Sequence, residues 1–161
     1  MLKRRKIIRL SNYDYSRDNL YFVTICVNDR KRCLGEIKDG ILNLNELGKI
    51  VQIQLNWLEN QYPYVKIHSA IVMPDHAHLI LEIDRLSIPY KLVGMKIKPL
   101  SELMGTFKTT ASKHIHLAGL TTFSWQRSFY EHIIRDEQAY QNIVRYIEDN
   151  PRNWNKGHVA T

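Results

Sequence analysis

Cysteine is scarce in this chain: Cys26 and Cys33 are the only two in 161 residues, with neither CxxC spacing nor the density of a disulfide framework. That excludes a stapled secreted scaffold and a zinc-ribbon site, and it sets the expectation of reduced thiols in a cytoplasmic protein. No apolar run reaches the ~18 residues of a membrane-spanning helix, and the basic start is followed by no signal-peptide core, so no membrane partner is expected. HExxH, GxxxxGK[ST] and a strand-borne GxGxxG are all missing, which removes the zinc-protease, P-loop and dinucleotide-binding classes. Internal repeats and low-complexity tracts are absent as well, so one domain over residues 1–161 is the expectation.

Negative charge is also in deficit. There are 16 Asp and Glu against 23 Lys and Arg, a formal net charge of +7. The excess begins in a basic arm at about residues 1–19, where Lys3, Arg4, Arg5, Lys6 and Arg9 stand close together. Arg30, Lys31 and Arg32 add a second group, and Lys91, Lys96, Lys98, Lys108 and Lys113 a third. Such a field suits a polyanion, most simply nucleic acid, although a basic composition alone does not establish one.

What is present reads as alternating strands and helices. Residues 20–27, LYFVTICV, are β-branched and aromatic and predict a first strand, and the Asp39-Gly40 pair predicts the turn of a short hairpin over residues 35–44. From Asn45 the period changes to that of a helix with an apolar side at Leu47, Ile50, Val51, Leu55 and Leu58, ending before Pro63. KIHSAIVM and HAHLILEI predict two more strands joined at Pro74 and Asp75. Residues 84–99 read as a surface loop, Ser101 as the cap of a second helix, and Asp136 to about Asp149 as a last helix stopped by Pro151. This order fits an α+β fold, a central antiparallel sheet with helices on one face, related to the ferredoxin-like plan.

Two features carry candidate chemistry. In MPDHAHLIL, alternation puts His76, His78 and Ile80 on one strand face and Ala77, Leu79 and Leu81 on the other. Parallel imidazoles at i and i+2 can share a divalent ion, with open positions left for water or a phosphate oxygen, yet HAH alone favours a half-exposed pair at a strand end. In the last helix, Tyr140, Ile143, Val144 and Ile147 form the apolar stripe, and Tyr146 and Asn150 lie one turn apart at its edge. Tyr146 so placed can pack its ring and keep its hydroxyl toward a cleft. A phenol with an ordinary pKa of ~10 needs a polarised electrophile, which a metal held by two histidines and an amide would supply.

Between them, Trp125, Phe129 and Tyr130 are open between stacking on bases and gluing the last helix to the sheet. Phe129, Ile133 and Ile134 are assigned to the core, Arg127 and Arg135 to phosphates, and His132 to structure.

Taken together, YFVTICV, VMPDHAHLIL, GTFKTTASK and WQRSFYEHIIRDEQAYQNIVRYIEDNPRNW resemble the single-tyrosine transposases of the His-hydrophobic-His (HUH) superfamily, and more closely the branch associated with repetitive extragenic palindromes (REP). The resemblance implies a ferredoxin-like or RRM-like α+β fold and nicking and strand transfer on single-stranded or hairpin DNA through a covalent 5′-phosphotyrosine. By the same resemblance His76 and His78 are ligands of Mg²⁺ or Mn²⁺, Tyr146 is the nucleophile, and Asn150 is the third ligand. Expected DNA contacts are Lys3, Arg4, Arg5, Lys6, Arg9, Lys108, Trp125, Arg127 and Arg135. A hairpin-binding regulatory protein of the same fold with little catalysis is the alternative, and both a monomer and a homodimer stay open.

Overall fold

The structure, a computed structural model, describes residues 19–154; the basic arm with Lys3, Arg4, Arg5, Lys6 and Arg9 lies outside the described residues. Strand β1 (Leu20–Cys26) leads into a short hairpin, β2 (Gly35–Lys38) and β3 (Ile41–Leu44), whose turn residues Asp39 and Gly40 take φ of 54° and 73°. Two positive φ values in a two-residue turn are the type I′ geometry that the Asp-Gly pair predicts. Helix α1 (Glu46–Gln61) follows, capped by Asn45, whose side chain accepts from the Gly48 N–H. Then come β4 (Val65–Met73), β5 (His76–Ile83), helix α2 (Leu100–Leu117), β6 (Tyr130–Ile133) and helix α3 (Glu137–Asp149). Residues 84–99 hold two short 3-10 turns. The cap of α2 is Pro99 rather than Ser101, because Pro99 supplies the extended entry and Ser101 is already inside the helix.

The main sheet has the order β4-β5-β1-β6, every neighbouring pair antiparallel. Setting the small hairpin aside, the chain runs β-α-β-β-α-β and then adds α3, which is the ferredoxin-like plan. The two central strands, β5 and β1, pair Thr24 with His78 and Cys26 with His76.

Helices cover both faces of this sheet, not one. Val23, Ile25, Leu79 and Leu81 face a core filled by Val51, Leu55 and Leu58 of α1 and Leu103, Met104 and Phe107 of α2. Leu20 and Ile80 point the other way, onto Tyr140, Val144 and Ile147 of α3. The sequence pattern shows that β5 is apolar on both sides, but only the packed chain says that the last helix fills the second side. All eight residues of β5 are buried in consequence.

Two local devices set the helices. A Cβ on Gly48 would stand 2.0 Å from the Leu34 carbonyl oxygen, so α1 enters at a distance only glycine allows. In β4 the register shifts between Ile67 and Ser69, a bulge at His68. The His68 ring then lies 3.1 Å by Nδ1 from the Tyr140 hydroxyl and 3.3 Å by Nε2 from Glu82, tying α3 to the sheet.

Candidate functional site

The centre of the α3-covered face is the histidine pair. His76 and His78 are 3% and 2% exposed, so the half-exposed strand end that HAH alone allows is not what forms. Their Nε2 atoms face each other at 3.0 Å. Each ring is held from behind at Nδ1, His76 by the Asp75 carboxylate at 2.6 Å and His78 by Thr24 Oγ1 at 2.8 Å.

These partners restrict the tautomers. A carboxylate only accepts, so His76 carries its proton on Nδ1 and presents a lone pair at Nε2. A threonine hydroxyl both donates and accepts. His78 can therefore donate from Nε2 to His76 while accepting from Thr24, or move its proton to Nδ1, donate to Thr24 and present a second lone pair. In the second arrangement two imidazole lone pairs converge, which is the chemistry of a divalent-cation site with its outer hydrogen bonds in place. The two imidazoles are of the right chemistry to bind such an ion. Asp75 is engaged behind His76, and among the described residues no three His, Cys, Asp and Glu side chains are arranged to hold a metal ion together.

Asp75 is fixed in turn. It sits in the turn between β4 and β5, pinned by backbone bonds from Val27 N to Asp75 O and from Leu34 N to Pro74 O. The Arg30 Nε donates to its other oxygen at 3.1 Å. Burial pushes the Asp75 carboxyl up, but the hydrogen bond and charge of His76 and the Arg30 guanidinium outweigh it and leave the carboxyl below its ordinary range. Asp29 and Arg30 both adopt left-handed backbone, φ 55° and 52°, a local strain that goes with the placement of this arginine.

Tyr146 comes from α3 to the same place. Its ring stands edge-on to His78 with centroids 5.3 Å apart, and Phe22, stacked on His78 at 5.4 Å, meets it edge-on at 6.1 Å. Half-buried, Tyr146 sits as an edge residue should. Asn150 follows one turn later, buried at the helix end. Residues 151–154 continue as a turn that brings Trp154 flat against His76, ring centroids 6.2 Å apart and planes at 20°.

His76, His78 and Tyr146 are thus brought together, and the expected DNA contacts divide. Arg127 and Arg135 are exposed. Trp125, open between stacking on bases and packing, is 8% exposed and packed on Phe107 and Phe123 at 5.9 and 5.1 Å, where the Val27–Trp125 bridge holds its segment. Lys108 is half-buried, and its Nζ donates to the carbonyls of Gln126 and Ser128. Burial lowers its ammonium pKa. Lys108, Lys113 and Arg127 line a shallow depression of about 680 Å³ beside α2, away from the histidine pair. Ile134 is buried, Phe129 and Ile133 half-buried, and His132 is exposed.

Asp75, Thr24, Arg30 and Trp154 are site neighbours that sequence reasoning did not assign. Only Asp75 left a signal, its position directly before the first histidine.

The fold is thus an antiparallel ferredoxin-like α+β sheet with a histidine pair and a helix-borne tyrosine on one face. A solved structure of a REP-associated tyrosine transposase bound to a REP hairpin shares it, with a TM-score of 0.62, 22% identity, and coverage of 86% of this chain and 69% of that one. No protein-family model matches the chain. An uncharacterized protein of Haemophilus influenzae is 32% identical over 96% of this chain and 92% of its own length. A second H. influenzae protein, provisionally named a REP-associated tyrosine transposase, is 28% identical over 88% of this chain and 76% of its own length. In sequence and in fold the chain is similar to the REP-associated tyrosine transposases.

Proposed function

We propose that the protein nicks and rejoins single-stranded or hairpin DNA through a covalent 5′-phosphotyrosine on Tyr146, with His76, His78 and Asn150 holding Mg²⁺ or Mn²⁺. The observation that carries this reading is the edge-on approach of Tyr146 to His78 beside two Nε2 atoms 3.0 Å apart. The REP hairpin bound in the related solved structure supports the same substrate class here.

In this reading the Tyr146 oxygen bonds to phosphorus as the P–O3′ bond breaks; the phenol loses its proton and the departing 3′ oxygen gains one. A bound divalent ion supplies charge neutralisation at the nonbridging phosphate oxygens. Asp75 and Thr24 orient the two imidazoles, and Phe22 with His78 holds the tyrosine ring. Because the link to tyrosine keeps the energy of a phosphodiester, a free 3′ hydroxyl can reverse the step and join strands.

Labelled hairpin DNA with single-stranded flanks, incubated with Mg²⁺ or Mn²⁺, is expected to give a protein–DNA adduct on a denaturing gel, and Tyr146→Phe is expected to abolish it. An equal adduct from the variant rejects Tyr146 as nucleophile, and cleaved product without any adduct points to hydrolysis. A second reading, a hairpin-binding regulator with little catalysis, is favoured by one observation: among the described residues no three His, Cys, Asp or Glu side chains are arranged to hold a metal ion. Tight hairpin binding without cleavage by the wild type would be its signature.

A further inference from the structure

Beside the histidine pair, the chain places an aromatic surface and a cation that nothing in the proposed chemistry uses. Trp154 is half-buried and lies nearly parallel to the His76 ring, and the Arg32 guanidinium stands over the indole at 4.9 Å from its centroid. Arg32 itself is exposed.

The indole is held in position. Backbone bonds from Asn153 N to Asp149 O and from Trp154 N to Pro151 O continue the end of α3 into a turn. That turn packs on the β2–β3 hairpin, where a Cβ on Gly40 would lie 3.6 Å from the Arg152 Cα. A nitrogen lone pair lies in the plane of its ring, so an indole stacked on the face of His76 leaves Nε2 open toward His78. Trp154 therefore does not close the pair, and it extends the site sideways.

We propose that Trp154 and Arg32 form a nucleotide subsite: an unpaired base next to the scissile phosphodiester stacks on Trp154, and Arg32 exchanges its contact with the indole for the adjoining phosphate. A π-face recognises any base that is not already stacked in a duplex, and an exposed cation–π contact is weak enough to be traded for a phosphate. Both partners are matched to a single strand, and both adjoin the groups assigned to the scissile phosphate. The subsite rests on the reading of the His76, His78 and Tyr146 site as one that takes DNA.

The test uses the full chain in EDTA, so that binding is read without turnover, with two probes: a DNA hairpin carrying single-stranded flanks and a blunt hairpin of the same stem. Trp154→Ala is expected to weaken binding of the flanked hairpin by about 5-fold or more, in line with the worth of one stacked base, and to leave the blunt hairpin unchanged. Arg32→Ala is expected to weaken the flanked probe as well. The flanked probe is expected to quench wild-type tryptophan fluorescence, and Trp154→Phe, which keeps a ring in place, to lose that quench while Trp57 and Trp125 remain. Unchanged binding of the flanked probe by Trp154→Ala, or equal loss on both probes, overturns the subsite. A flank-specific loss without any Tyr146-dependent adduct keeps the subsite and discards the phosphotyrosine reading; a Tyr146-dependent adduct without that loss does the reverse.

Discussion

The His76 tautomer depends on one short hydrogen bond, Nδ1–H to the Asp75 carboxylate at 2.6 Å, and Asp75 depends on Arg30 and two backbone bonds of its turn. Outer partners of this kind typically matter ~10–100-fold in metal affinity. Asp75→Ala is therefore expected to lower Mn²⁺ affinity by about that factor, read by calorimetric titration or by the spin resonance of free Mn²⁺. An unchanged affinity would mean that the imidazoles are oriented by packing alone. Trp125 makes the opposite case. Its indole N–H is buried without an acceptor among the described residues, and a buried polar group left unpaired costs ~1–3 kcal/mol. Trp125→Phe removes that group and keeps the ring packing, so thermal stability is expected to hold or rise and hairpin affinity to stay the same. A marked loss of DNA binding in a folded Trp125→Phe protein would return this residue to the DNA interface.

At the scale of elements, the site exists because three pieces of chain are locked to one another. The β4–β5 turn carries Asp75, the bulge in β4 carries His68 to Tyr140, and α3 carries Tyr146. The strands meet α1 across the opposite face, and there the tolerance is set by Gly48, whose substitution would drive a Cβ into the Leu34 backbone. Gly48→Ala ordinarily helps a helix, but overpacking against backbone costs ~1–3 kcal/mol, which exceeds the gain in propensity. Its urea midpoint is expected to fall with the slope unchanged. The ends of these elements were readable from the residues: Asn45 and Asp136 both accept from the N–H three positions on, and the Asp39-Gly40 turn takes the geometry its composition requires. Ser101 misled because a capping residue is defined by backbone it leaves behind, and Pro99 already provides that entry.

Across the whole molecule, the +7 balance sets how strongly a polyanion is drawn, and the arm contributes Lys3, Arg4, Arg5, Lys6 and Arg9 to it. If those five residues neutralise phosphates, each adds ~0.7–0.9 to the slope of log affinity against log salt. Removal of residues 1–9 is then expected to flatten that slope by up to about 4.5 and to weaken hairpin binding at low salt. An unchanged slope would place the electrostatic contact elsewhere, for instance on exposed Arg127 and Arg135.

By itself the sequence determined the elements, the shared face of His76 and His78, and the helix edge that holds Tyr146 and Asn150, because a period of 2 or 3.6 and the chemistry of turns are properties of neighbouring residues. Only the tertiary structure decided that α3 lies over the histidine face, that the Trp125 ring packs inward while Lys108 ties down the chain at Gln126 and Ser128, and that Asp75, Thr24 and Trp154 surround the pair. Those are contacts between residues far apart in the chain, 78 positions for Trp154 and His76 and 124 for Tyr146 and Phe22 by the difference of their numbers. A strand's alternation says which side chains share a face, and the packing of the rest of the chain says what that face meets.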